Sequence, residues 1–254
     1  MSKFTDRLQN ITRVSGPGIG FRKSALGSKE PPILVVADVT QAGSKKVKDI
    51  TGSGIDAAII KSADVTVDSF KNLVTAIGDI PLGLVLESST RSKISAFVDA
   101  GCDFIVFDVG TAVEAVDVAG VGKILRVDPS IAPHLVRAIN GLTLPIDAVL
   151  LAGDSISITF ERLLLCQLFA GLLHKPLLLA VGPSLTGGEL NNLCGVGTTG
   201  LVLSAGLPGK DYAELRKAIN DLPESIKRKT KVEAIIPQLG GRAAVDTEEA
   251  DEDE

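Results

Sequence analysis

The sequence predicts an α/β fold, a (β/α)8 (TIM) barrel, and three observations carry that reading. Eight short apolar runs recur at intervals of 19 to 28 residues, the span of a strand, a turn and a helix. The runs are dense in Val, Ile and Leu without polar alternation, as suits parallel strands buried on both faces. The length, 254 residues, is that of one such barrel with a sizeable core. The expected organisation is an N-terminal loop extension over 1–32, the barrel over 33–222 and a C-terminal extension with an acidic tail over 223–254.

In chain order, Phe4, Leu8 and Ile11 come first, spaced as on one face of a helix. Such an amphipathic turn closes the bottom of the barrel or packs on a neighbour. The following stretch, SGPGIGFRKSALGSKEPP, holds four glycines and three prolines and predicts an ordered loop. Its GPGIG lacks the leading strand and the GK[ST] helix of a phosphate loop, leaving Arg22 and Lys23 as its candidate contacts. The strands are read at ILVVAD (33–38), AAIIKS (57–62), LGLVLE (82–87), FIVFD (104–108), KILRVD (123–128), AVLLAGD (148–154), PLLLAVG (176–182) and GLVLSAG (200–206).

Helix starts are readable between them. Thr111 and Glu114 form a TxxE capping-box pattern, and Asp128 followed by Pro129 reads as an N-cap before a proline at the first helical position. Thr186, Gly187 and Gly188 open a helix leading to Leu190 and Leu193, and a last helix is expected over 212–221. Leu163, Leu164 and Leu165 with Phe169 suit either a packed core or the interface of a homo-oligomer.

Composition narrows the class. No apolar stretch approaches the roughly 18 residues of a membrane span. The N-terminus lacks the apolar core of a signal peptide, so a soluble cytoplasmic protein is expected. The three cysteines have no metal-ligand spacing and read as buried thiols. The formal charge of −5 comes from the last nine residues, DTEEADEDE, which hold seven carboxylates. Without them 26 basic residues face 24 acidic ones, and no basic stripe marks a nucleic-acid binder. The tail is expected to be disordered, solvating or an arm for a basic partner. IKRKTK (226–231) could pair with it.

Active sites of (β/α)8 barrels lie at the carboxyl ends of the strands. There stand Asp38, Lys61, Glu87, Asp108, Asp128 and Asp154, one ionisable side chain at each of the first six. A ring of carboxylates and a lysine in a confined mouth separates pKa values and can supply a general acid and a general base. Helix capping is the competing role for Asp38, Asp128 and Asp154. Lys61 is costly to bury without a partner, and suits a proton carrier, a Schiff-base amine or a phosphate contact. Three of the carboxylates together could instead hold Mg²⁺, although no DxD or ExD spacing supports a metal. His134 and His174 fall away from the strand ends, and no GxSxG stands there, which disfavours histidine and triad chemistry.

The segment AVGPSLTGGELNNLCGVGTTGLVLSAG (180–206) resembles the phosphate-binding end of the barrel superfamily that binds phosphorylated metabolites or FMN. Backbone N–H groups must approach phosphate oxygens closely there, and glycine clears the way. The resemblance implies a first phosphate turn at Gly182, Ser184, Gly187 and Gly188 and a second at Ser204, Ala205 and Gly206. Where that superfamily usually has paired glycines right after strand seven, this chain has Gly182, Pro183 and Ser184, and its glycine pair comes later.

Three functions are consistent with these features. The first is an enzyme acting on a small phosphorylated metabolite as a lyase, aldolase or isomerase, with Lys61 and the carboxylates handling protons. The second is an FMN-binding oxidoreductase, set against a composition with 4 % aromatics and no Trp. The third is a non-catalytic barrel serving as a binding or assembly module through its two extensions.

Overall fold

All eight expected strands form, and they close into one parallel barrel in chain order, β1 to β8, with β8 pairing back onto β1. The structure is a computed structural model describing residues 2–14, 31–40, 42, 44–153 and 157–222. The GPGIG loop, the C-terminal extension with its acidic tail, and Asp154 lie outside the described residues. The strands are β1 (Leu34–Asp38), β2 (Ala57–Lys61), β3 (Leu82–Val85), β4 (Phe104–Asp108), β5 (Gly122–Val127), β6 (Ala148–Leu151), β7 (Leu177–Val181) and β8 (Thr198–Leu203). Ahead of them runs α1 (Lys3–Val14), and between and after them α2 (Ser44–Thr51), α3 (Val67–Ile77), α4 (Arg91–Asp99), α5 (Val113–Val116), α6 (Pro133–Ala138), α7 (Phe160–Leu172), α8 (Gly187–Gly195) and α9 (Gly209–Asn220). No helix among the described residues is long and apolar enough to cross a membrane.

The pleat divides each aliphatic strand between two cores. Outward residues such as Val35, Ala58, Leu84, Ile105, Val149 and Leu179 pack beneath the helices. Inward residues such as Val36, Ile59, Val85, Val106, Leu150 and Val202 fill the barrel. This two-sided burial is why the runs carry no polar alternation.

At the floor the inner core is completed by Phe4, Leu8 and Ile11 of α1, which are buried against it. The segment expected as an amphipathic turn is a 12-residue helix, and of the two roles foreseen for it, closing the barrel is the one it takes. Asp103, just before β4, fixes its start: the Ser2 hydroxyl and the Lys3 and Phe4 N–H groups donate to that carboxylate at 2.7, 2.8 and 3.0 Å. Such bonds satisfy donors that a helix N-terminus leaves open. Farther along, Arg7 donates to Asp56 at 2.7 Å, and the same buried carboxylate accepts from the Val35 N–H at 2.8 Å and from Arg216 of α9.

Two glycines make room for this floor. Phe104 stands in register with Gly83 on one side and Gly122 on the other, and its ring lies 4.7 Å from that of Phe4. A Cβ at Gly83 would fall 2.3 Å from the Phe104 ring, and one at Gly122 would fall 2.6 Å from Thr5.

Two expected helix starts are corrected. The TxxE pattern at Thr111 and Glu114 makes no capping box: Thr111 donates its N–H to the Asp108 carbonyl in a turn, and the short α5 begins only after Ala112. Asp128 likewise does not cap α6, whose N-cap is Ala132 and whose first-turn proline is Pro133. The third start holds, because Thr186 and Glu189 form a complete capping box on α8. All three cysteines are buried thiols, and burial pushes the Cys102 thiol up to about 12.

Candidate active site at the barrel mouth

Period-two alternation carries the inward rows of the first five strands up to the rim. In β1 the row runs Leu34, Val36, Asp38; in β2, Ala57, Ile59, Lys61; in β4, Phe104, Val106, Asp108; in β5, Gly122, Ile124, Arg126. Of these rim residues Asp38, Lys61 and Arg126 bound a cavity of about 510 Å³. Its floor is the top of the inner core, including Ile59, Val85, Val106 and Leu150. Asp38, Thr40, Lys61, Asp64 and Arg126 line one side, and Ala152, Gly153, Gly182, Pro183, Ser204 and Ala205 the other. The mouth is therefore charged along β1 to β5 and small and uncharged along the described ends of β6 to β8.

The charged side is paired across neighbouring strands. Lys61 Nζ lies 3.2 Å from Glu87 Oε1. Arg126 holds Asp108 in a two-pronged grip, Nε to Oδ1 at 2.5 Å and Nη2 to Oδ2 at 2.6 Å, the planar geometry that guanidinium offers a carboxylate. The Asp108 hydrogen bond raises the Arg126 pKa above its ordinary value against the opposing effect of burial, with the Asp108 and Glu87 charges adding to it. Asp38 is held differently: it accepts the Thr40 N–H at 2.9 Å and enters no ion pair among the described residues. Thr40 in turn accepts the Lys61 N–H on its hydroxyl at 3.2 Å, tying the turn after β1 to the end of β2.

Four of the six expected ring residues, Asp38, Lys61, Glu87 and Asp108, thus come together directly or through their partners. Asp128 does not join them. The strand stops at Val127, and Asp128 turns out to solvent, where its carboxylate accepts the Ser130 N–H at 2.9 Å and the Ser130 hydroxyl at 2.6 Å. Those two bonds, the hydroxyl first, lower its pKa. No cluster of three or more His, Cys, Asp or Glu able to hold a metal occurs among the described residues.

The residues of the expected phosphate turns do not gather in one place. Gly182 and Ser204 line the mouth cavity. Ser184 lines a smaller hollow of about 300 Å³ with Thr186, Asp211 and Glu214. Gly187 and Gly188 are exposed in the first turn of α8, and Gly206 adopts a left-handed turn with φ of 89°. The capping box occupies part of the α8 N-terminus: Glu189 accepts the Thr186 N–H and hydroxyl, both at 2.8 Å, and these bonds lower its pKa.

Sequence reading missed Arg126. Its signal was present in KILRVD, since alternation that turns Ile124 inward turns Arg126 inward too. Arg162 of α7 was also missed. It is buried, donates to the Leu151 and Ala180 carbonyls at 3.4 and 3.2 Å, and lies where a Cβ on Gly153 would fall, 2.3 Å from its guanidinium.

No protein-family model matches the chain, and no curated protein matches it. Solved structures do. A mutant tryptophan synthase alpha-subunit from Pyrococcus furiosus superposes with a TM-score of 0.58 at 11 % identity, covering 76 % of this chain and 98 % of that one. N-(5'-phosphoribosyl)anthranilate isomerase from the same organism gives 0.57 at 15 % identity, over 75 % of this chain and all of the other. Tryptophan synthase from M. tuberculosis gives 0.60 at 10 % identity, over 86 % and 98 %. At such identities the likeness establishes the fold: the chain is a (β/α)8 barrel of the architecture those enzymes share.

Proposed function

We propose that the protein is an enzyme acting on a small phosphorylated metabolite, by lyase or isomerase chemistry, at the C-terminal mouth of its barrel. One observation carries the reading: Asp38, Lys61 and Arg126, the last two each paired with a carboxylate, face small turn residues from β7 and β8 across a single cavity of about 510 Å³. An ionic half and a backbone-rich half suit a substrate with a reactive centre at one end and a phosphate at the other. The fold-mate from Pyrococcus furiosus whose name carries a phosphoribosyl group supports the substrate class.

Asp38 takes the part of general base, being the strand-end carboxylate at the cavity with no ion pair among the described residues. It removes a proton from carbon or oxygen beside a polarised double bond, and Lys61, held by Glu87, returns one at the neighbouring atom. Arg126, oriented by Asp108, holds the anionic intermediate. Backbone N–H groups at Gly182 and Ser204 receive the phosphate, with the open N–H groups of Gly187 and Gly188 on the far side of the same turn.

A thermal-shift screen of sugar phosphates, phosphoribosyl compounds and FMN tests this. A ligand that binds the native state raises the melting temperature, by about 2.7 kcal/mol of stabilisation at a hundredfold excess over Kd. The expected result is a shift with a phosphorylated metabolite that weakens at least tenfold in Arg126→Met, and turnover of that compound that is lost in Asp38→Asn. A screen in which only FMN shifts the melt favours the flavoprotein, and one without any shift overturns the enzymatic reading.

A further inference from the structure

The outer face of α7 is unlike a solvated helix. Its exposed residues are Phe160, Glu161, Leu164, Gln167, Leu168 and Gly171, a single charge among six. Phe160 is 85 % exposed, Leu164 68 % and Leu168 41 %, in a stripe of spacing four along the helix. The neighbouring segment adds Leu135 of α6 and Leu142, which follows the turn whose Asn140 side chain donates to the Leu172 carbonyl at 2.8 Å. By contrast Leu163 and Leu165 pack partly against the core and Phe169 is buried in it, so the apolar sequence of α7 serves two different surfaces.

We infer that this face is a two-fold interface between two copies of the chain, with α7 packed antiparallel on the partner's α7. Self-complementarity is what selects a second copy as the occupant. The inner pair of the stripe, Leu164 and Leu168, is centred on Cys166. The outer pair, Phe160 and Gly171, is centred on the same turn. A two-fold axis there lays the Phe160 ring of each copy over Gly171 of the other, the one outward position on the helix with no side chain and no atom within 4 Å of where a Cβ would stand.

The area suffices. From their exposed fractions the five apolar side chains present on the order of 500 Å² per copy, near the top of what a monomer leaves uncovered and about the apolar content of one side of a standard interface. Two copies bury about 1,000 Å² from these residues alone, the lower bound for a specific contact. In such a dimer the helices run in opposite directions, so the two barrel mouths open away from each other.

Light scattering on the full-length chain at about 100 µM is expected to give twice the monomer mass, and Phe160→Glu with Leu164→Glu to give a monomer whose circular dichroism is unchanged, because both positions face solvent in a single copy. Gln167→Cys, next to the axis, is expected to cross-link on mild oxidation at least tenfold more than Lys71→Cys on α3. The native thiols are all buried and do not compete. A wild-type monomer, a dimer unaffected by the two glutamates, or equal cross-linking at both cysteines would overturn the interface. If the chain dimerises only after residues 223–254 are removed, the face belongs to the chain's own C-terminal segment, and the proposal fails in that form.

Discussion

Gly83 sets the size of the barrel floor. Its partner across the sheet, Phe104, is wedged between the missing side chain at Gly83 and the Phe4 ring, and is buried on all sides. Gly83→Ala is therefore expected to cost about 1–3 kcal/mol through overpacking, read as a fall in denaturation midpoint. Combining it with Phe104→Leu should recover part of that loss, since a smaller ring position accepts the new methyl, and a double-mutant cycle measures the coupling. A silent Gly83→Ala would mean that the floor gives way more easily than its geometry implies. Two residues on β5 show how far such positions can be read from sequence. Arg126 and Asp128 share the inward phase of the strand, yet only Arg126 reaches the mouth. Phase was readable in KILRVD, whereas the last residue of pairing was not: Asp128 finds its bonds within Ser130 and the turn, and local bonding of that kind leaves no mark on the apolar pattern.

The two TxxE patterns make the same point for whole helices. Thr111 and Glu114 sit in the shortest strand-to-strand interval, 19 residues, which leaves room for a four-residue α5 and places Thr111 in the turn before it. Thr186 and Glu189 precede a nine-residue helix, and there the reciprocal bonds form. Thr186→Ala is expected to cost about 1 kcal/mol at pH 7, and Thr111→Ala less than about 0.5, by chemical denaturation. The first cost should be pH-dependent. Glu189 is held below its ordinary value of 4.5 by the Thr186 bonds, so the folded chain binds fewer protons there than the unfolded one. Its contribution is complete above pH 4.5 and is lost as pH falls through the lowered folded value. The gap between wild type and Thr186→Ala should accordingly narrow at pH 3. A gap that stays constant with pH would separate the cap from the carboxylate.

The barrel itself was readable because strands buried on both faces leave unbroken aliphatic runs, and the ionisable residues at their ends were readable because the mouth is where burial stops. What closes the opposite end could not be decided from sequence: Phe4, Leu8 and Ile11 define an amphipathic face but not its target, which is assembled from strands up to two hundred residues away. Once the floor exists, that face has one place to go. Leu8, buried on all sides, is expected to cost about 2–5 kcal/mol as Leu8→Ala, and Phe4→Ala about 3–5. Removing residues 1–14 takes away all three side chains, each worth about 1.5–3 kcal/mol of burial, together with the bonds to Asp103 and Asp56. That loss rivals the about 5–15 kcal/mol by which a domain is stable, so the truncated chain should bind a hydrophobic dye and lose its cooperative melt. The floor and the mouth lie at opposite rims, and this separates stability from activity: Leu8→Ala, assayed well below its lowered melting temperature, should keep the ligand response of the wild type. A truncated barrel that melts within a few degrees of the full chain would show instead that the strands close unaided and that α1 merely rests against them.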